Sequence, residues 1–397
     1  MAPLLGSEVP PVGRRTVVPG RGAGEALVTV TAPLVPEWEA LAPLLQDVLG
    51  RRWLTNQGHY AQTLTSELKR VMSAPELSLV SNGTLALELL LRAAVPPGEV
   101  IVPAFSFPAT WNLLCRDPAW TPVFVDIGPD FCVDPAQVAA AITPRTSAIL
   151  AVHTYGRPCD SSALGALAAR HGLKLVFDAA HAFGVALEEG SLAALGDGSA
   201  WSFHATKVFS TLEGGAVTSR DAQVNAHVDR LRNFGFAGLD GQTEFGTNAK
   251  VDEFRAAFGL SVLPLVEGAI ARRVAVGVQY LERLAPLEGD GVALPRGLFE
   301  DTAWTPNGAY FPVLFPPECG LGPEELSAGL QAVGVLPRRY FDDRAFKSAI
   351  YAPYLRAADT PRALEASQNV LCLPIHHDLG EEDLDLVCTT LLDLFGH

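Results

Sequence analysis

Between residues 77 and 217 the chain alternates short apolar runs with stretches of helical spacing, and this alternation constrains its architecture most. The apolar runs fall at 77–81, 99–102, 123–126, 148–152, 175–178, 200–203 and just after Gly214-Gly215; helical stretches lie at 85–94, 135–141 and 161–171. Strands that alternate with helices at this spacing form a parallel sheet covered on both faces. The expected class is therefore α/β, with a mostly parallel central sheet. Helices are also expected at 37–49, 60–72, 222–233 and 252–265, whereas residues 1–30 show little periodicity and read as a loose arm. After about residue 265 the pattern changes. A long helical stretch runs to 284, followed by a strand (309–315), a helix (323–332), a short strand (335–340) and a closing helix (381–395). Two units follow: an arm and large domain over 1–265, and a smaller α+β domain over 266–397.

The chemistry-bearing residues sit where these runs end. Ligands of an open α/β sheet bind beyond the carboxyl ends of its strands. The run Leu175, Val176, Phe177 ends in Asp178, which places a carboxylate at such a rim. Lys207 follows in a loop between two apolar runs, with Glu213 as its nearest acid and no acid close on its N-terminal side. A desolvated lysine has a lowered pKa, which suits it to attack a carbonyl and form a Schiff base. A strand-end acid and a later loop lysine are the pair that pyridoxal phosphate requires, one to keep the pyridine nitrogen protonated and one to carry the aldehyde. Asn82-Gly83-Thr84 joins a strand to a helix, where backbone N–H groups make either an anion site or an ordinary cap. Phe107 ends another strand and could stack on a flat ring or simply pack in the core. Ser202 is polar on a buried strand and needs a partner, which a phosphate would supply.

Composition excludes several classes. With 29 basic against 44 acidic residues the net charge is −15, which argues against nucleic acid as a partner, although a local basic pocket could still take a nucleotide-linked substrate. No 18-residue apolar run is evident, so no membrane span is expected, and residues 1–24 lack a signal-peptide core. The six cysteines are scattered without metal-ligand spacing and read as idle thiols of a cytoplasmic protein; no metal site is expected.

Taken together, Asp178-Ala-Ala-His181, Ser202-Phe-His-Ala-Thr-Lys207 and Glu213-Gly-Gly resemble the DegT/DnrJ/EryC1/StrS family of fold-type I, pyridoxal-phosphate-dependent aminotransferases. The resemblance runs from Trp53-Leu-Thr-Asn56-Gln-Gly58 to Leu373-Pro-Ile-His-His377 and so covers most of the chain. It implies that Lys207 is catalytic and that Asp178, His181, Ser202, Gly83, Thr84 and Phe107 hold the cofactor, with His181 against its ring. It implies a homodimer with shared sites, in which Asn248, or else Lys250, reaches the partner's cofactor phosphate. Asn56, His153, Lys250, Arg339 and Tyr340 are its candidate substrate contacts; for Arg339 and Tyr340 a surface role is the alternative. The implied reaction moves an amino group from an amino acid, glutamate by resemblance, to a ketone of a nucleotide-linked deoxysugar, with C4 ahead of C3. Alternatives are transfer to a cyclitol ketone, a cysteine desulfurase using Cys319 or Cys372, and a non-catalytic regulatory relative.

Overall fold

The computed structural model describes residues 27–397 apart from 189, 301–302 and 356–357; the expected arm lies outside the described residues as far as position 26. Seven strands build the central sheet: β1 (Glu76–Val80), β2 (Gly98–Pro103), β3 (Trp120–Val125), β4 (Thr146–Val152), β5 (Lys174–Asp178), β6 (Gly198–Ser202) and β7 (Gly215–Ser219). Their order across the sheet is β1-β7-β6-β5-β4-β2-β3. The pairs β2–β3, β2–β4, β4–β5 and β5–β6 are parallel, while β7 is antiparallel to both its neighbours. Six strands therefore point one way, and their carboxyl ends share one edge.

Side chains alternate across each strand with period two, so each strand feeds two cores. Ile101, Ile149, Ala151, Leu175 and Phe177 pack into one core with Val138 of α5 (Pro135–Ala141) and Leu164 and Ala168 of α6 (Ser161–His171). Val100, Val102, Ala148, Leu150 and Val176 face the other and larger core, which includes Leu87, Leu90 and Leu91 of α3 (Gly83–Ala94). Each fully buried valine, leucine or isoleucine among them contributes about 1.5–3 kcal/mol of transfer free energy. This two-sided burial explains why the strands read as unbroken apolar runs.

The flanking helices are α1 (Trp38–Arg51), α2 (His59–Val71), α4 (Pro108–Arg116), α7 (Ala222–Leu231), α8 (Glu253–Val262) and α9 (Val266–Arg283). The periodicity reading did not identify α4, although Pro108 at its first turn is an ordinary start signal. The run 253–283 is long and apolar enough by composition to cross a bilayer, contrary to the expectation that no such run exists. Half of an 18-residue apolar window within it is buried in the protein. It is a core helix: Ala256, Ala257, Val262 and Val266 all lie in the larger core.

The start of α8 also pins the loop before α2. Glu253 is only 1% exposed, and its carboxylate accepts from Tyr60 N at 2.7 Å and Ala61 N at 3.1 Å, capping α2 from another element. A Cβ on Gly58 would stand 2.6 Å from that carboxylate, so this close approach needs glycine. Replacing Glu253 by alanine strands two donors and should cost about 2–4 kcal/mol, read as a lower urea midpoint at unchanged slope.

Beyond α9, β8 (Phe311–Leu314) pairs antiparallel with β9 (Val370–Leu373), flanked by α10 (Pro323–Ala332), α11 (Pro361–Asn369) and α12 (Glu381–Phe395). α11 and β9 have no counterpart in the sequence reading. The expected strand over 335–340 is shorter, Val335–Leu336, with one further bridge from Arg338 to Cys372.

Candidate active site

The carboxyl edge of the sheet opens into a cavity of about 600 Å³. Its floor comes from the ends of five strands: Gly83 and Thr84 after β1, Ser106 and Phe107 after β2, Val152 of β4, Asp178 of β5 and Ser202 of β6. Lys207, in the loop between β6 and β7, lines it from one side.

Asp178 follows the parity of Val176 and so faces the cavity rather than the α5–α6 core. Its Oδ2 accepts from Thr110 Oγ1 at 2.8 Å and its Oδ1 from Ala180 N at 3.1 Å. Burial raises its pKa, and the Thr110 and Ala180 donors and the Lys207 charge hold that rise back. A carboxylate has about four lone-pair sites, so this one retains capacity for a further donor. Burial lowers the Lys207 pKa to about 8, with Asp178 pulling weakly the other way. Its Nζ is 3.3 Å from the hydroxyl of Tyr310, a residue absent from the sequence reading.

His181 is 8% exposed and its Nδ1 accepts from Tyr155 N at 3.2 Å, which leaves the proton on Nε2. Burial, helped by Lys207, holds its pKa well below the usual histidine value, so the ring stays neutral. Tyr155 reaches this position in the left-handed region, at φ 58°, and its hydroxyl donates to Tyr340 O. On the same loop as Lys207, His204 Nδ1 accepts from Thr206 N at 3.2 Å, turning Nε2 toward Glu213 at 3.6 Å; both side chains line the cavity.

The phosphate-sized corner lies at the start of α3. The first N–H groups of a helix have no intrahelical partner. The Leu85 N–H is taken by Asn82 Oδ1 at 2.8 Å and that of Ala86 by Asn82 O, which leaves those of Gly83 and Thr84 at the cavity. The Leu85 N–H is thus spent on the cap rather than open to an anion. A Cβ on Gly83 would lie 2.7 Å from Ser202 Cβ, so glycine is what lets the helix start meet the end of β6.

The other sequence candidates divide. Phe107 lines the cavity with 55% of its surface exposed, and Tyr340 lines it with Phe341. His153 does not line it: the parity of Ile149 and Ala151 carries it to the opposite face, where it stacks on Phe177 at 4.9 Å with Nδ1 bonded to Cys159 N. Burial there lowers its pKa to about 4, the behaviour of a core histidine. Arg339 is engaged elsewhere, with Glu324 at 2.8 Å and the carbonyls of Ser367 and Gln368. Asn56 is exposed in a left-handed turn at φ 60°, outside the cavity lining. Asn248 is exposed too, bridged to Asn233. Lys250 lines a second cavity of about 270 Å³ and donates to Asn233 Oδ1 at 2.9 Å. Neither Cys319 nor Cys372 lines the main cavity, and burial pushes the Cys372 thiol up to about 12, so no thiolate is offered there.

Known proteins resemble this chain over most of its length. A dTDP-4-amino-4,6-dideoxy-D-glucose transaminase of Shigella dysenteriae is 36% identical over 371 residues, covering 93% of this chain and all of the relative (100%). The structure of DesI in the presence of its TDP-sugar product matches with a TM-score of 0.86 and 36% identity over 95% of each chain. That of NtdA from Bacillus subtilis with bound cofactor PMP matches with a TM-score of 0.81 and 27% identity, over 90% of this chain and 82% of that one. The profile of one family spans residues 38–392, and by that match the chain belongs to the DegT/DnrJ/EryC1/StrS aminotransferase family.

Proposed function

We propose that the protein is a pyridoxal-phosphate-dependent aminotransferase that moves an amino group from an amino acid, glutamate in the first instance, to the C4 ketone of a nucleotide-linked deoxysugar. The observation that carries this reading is a half-buried amine and a buried carboxylate, Lys207 and Asp178, lining one cavity beside the start of α3. That donor set fits the cofactor: an amine for the aldehyde, an acid with spare acceptor capacity for the pyridine nitrogen, and unpartnered helix N–H groups with Ser202 for the phosphate. The volume also falls within the range of about 300–1,000 Å³ usual for small-molecule sites. Bound there, the cofactor supplies an electron sink for charge developing on the donor's α-carbon.

The chain's residues do the rest. Asp178 holds the proton on the ring nitrogen. Thr84, Gly83 and Ser202 would anchor the phosphate, Phe107 would stack on the ring, and His181 would meet it as a neutral Nε2–H donor. The Lys207 amine would hold the aldehyde and would serve as the proton carrier at the donor's α-carbon; an amine with pKa near the working pH suits both taking and giving that proton. The C4 preference rests on the Shigella dysenteriae relative, named for a 4-amino sugar, and the nucleotide-linked substrate also on DesI, seen with a TDP-sugar product.

The reading includes a homodimer and a division of the chain near 265–266. Support for the dimer is the loop carrying Asn248 and Lys250, which lies away from its own cavity and bears Phe245 at 96% exposure. In this reading Asn248, or Lys250, completes the partner's phosphate site. Only one turn, Leu263–Leu265, separates α8 from α9, so the two units would share a nearly continuous helical run. Incubation with glutamate and a panel of nucleotide-linked keto sugars, followed by NMR location of the new amine, tests the function. An amine at C4 with release of 2-oxoglutarate is expected; an amine at C3, or none with any sugar, overturns the assignment.

A further inference from the structure

The contact between Tyr310 and Lys207 joins parts of the chain 103 residues apart, and the turn that makes it is held from three directions. Asn307, 1% exposed, donates from Nδ2 to the carbonyls of His181 at 2.7 Å and Phe183 at 2.9 Å, while its Oδ1 accepts from Ala309 N at 3.0 Å. Gly308 follows at φ 60°, with its would-be Cβ 2.6 Å from Arg273 Cβ, so the turn is wedged against α9. Arg273, also buried, donates to Gly308 O at 3.5 Å and Ile375 O at 3.1 Å. Tyr310 itself is 5% exposed, with its ring 4.6 Å from that of His181. A buried turn whose side-chain amide makes three hydrogen bonds has few alternative placements of similar energy. The observed placement puts a phenol oxygen on the amine.

We infer that Tyr310 is a positioning residue that aims the Lys207 amine into the cavity, and that Asn307 is the clamp that holds Tyr310 in place; the inference rests on Lys207 being the reactive amine. The freed lysine otherwise has a four-carbon stem with many rotamers. A hydroxyl at 3.3 Å accepts a charge-assisted bond from it when it is charged and donates a weaker one to it when it is neutral, so the amine keeps one direction in both states while the ammonium gains more. The other titratable groups facing that space are Asp178, His181, His204, Glu213 and Tyr340. Asp178 accepts from Thr110 and Ala180 and His181 from Tyr155, and among the described residues the hydrogen bond that the Lys207 amine makes is the one to Tyr310.

The test reads the amine in cofactor-free protein and does not depend on turnover. Lys207 in wild type and in Tyr310→Phe is acetylated competitively across a pH series, and its peptide is quantified by mass spectrometry. The phenylalanine keeps the ring and removes the acceptor that favours the ammonium, so the labelling midpoint should move down by about half to one pH unit. In the loaded enzyme kcat should fall about ten- to a hundredfold, with KM for the amino donor within about twofold, as for a misdirected group. Asn307→Ala, with Tyr310 intact, should shift the midpoint the same way by less; an unmoved midpoint there overturns the clamp. Equal midpoints in wild type and Tyr310→Phe overturn the positioning role. A wild-type protein that takes up no pyridoxal phosphate would instead sink the functional reading, and the labelling comparison would still decide the Tyr310 contact.

Discussion

Lys207→Ala should abolish transamination, with a loss of at least about 10⁴-fold, because in the proposed reaction one side chain would serve as both the covalent anchor and the proton carrier. The structure gives that amine no substitute. Of the two imidazoles at the cavity wall, His204 is held by Thr206 N–H and turned toward Glu213, and His181 is held by Tyr155 N–H on Nδ1, which leaves its proton on Nε2. Borohydride reduction of the native protein with pyridoxal phosphate should leave a pyridoxyl label on the Lys207 peptide and none in the variant. Turnover by Lys207→Ala within tenfold of wild type, or a label on another peptide, would remove the mechanism. The same amine sets a pH dependence. Its pKa lies near 8 against an ordinary lysine value of 10.5. Below about pH 8 it is mostly ammonium and has no lone pair to offer, and above it is mostly free amine. Capture of pyridoxal phosphate by cofactor-free protein should therefore quicken from about pH 7 to about pH 9 and then level off. A rate still climbing toward the ordinary value would mean that the amine is not desolvated.

Asp178→Asn should be the next most damaging change, lowering kcat by about 10²–10³-fold, the usual loss when one preorganised electrostatic group is removed. The amide is nearly isosteric and keeps an oxygen for Thr110 or Ala180, so packing should survive; the charge that holds a proton on the ring nitrogen does not. Since Lys207 and the start of α3 remain, the variant should still bind pyridoxal phosphate, visible as an absorbing holoenzyme with slow turnover. Unchanged kcat would show that this carboxylate does not serve the cofactor. Loss of the bound chromophore along with activity would show that it is chiefly a binding group.

Both predictions concern residues visible in the sequence because their signals are local. An acid at the end of an apolar run and a lysine between two such runs need only the strand pattern to be placed at a rim. His153 shows how the same pattern could have been carried further. It continues the odd-numbered face of β4 with Ile149 and Ala151, so period two alone sends it to the α5–α6 core, away from Asp178. Arg339 was not separable in this way, because its partners Glu324, Ser367 and Gln368 come from α10 and α11.

What the sequence determined by itself was the α/β class, the strand ends that carry Asp178, Ser202 and the Gly83 turn, and the lysine between β6 and β7, since hydrophobic period and turn chemistry act over a few residues. Only the tertiary structure decided what meets Lys207. Tyr310, Asn307 and Thr110 reach Lys207, the His181 turn and Asp178 from elsewhere in the chain, through contacts that exist only once the sheet, the helical run 253–283 and the strand pair β8–β9 are packed together. A side chain in an unremarkable local setting gives no sign of such a contact, because its energy comes from burial and geometry set by distant segments.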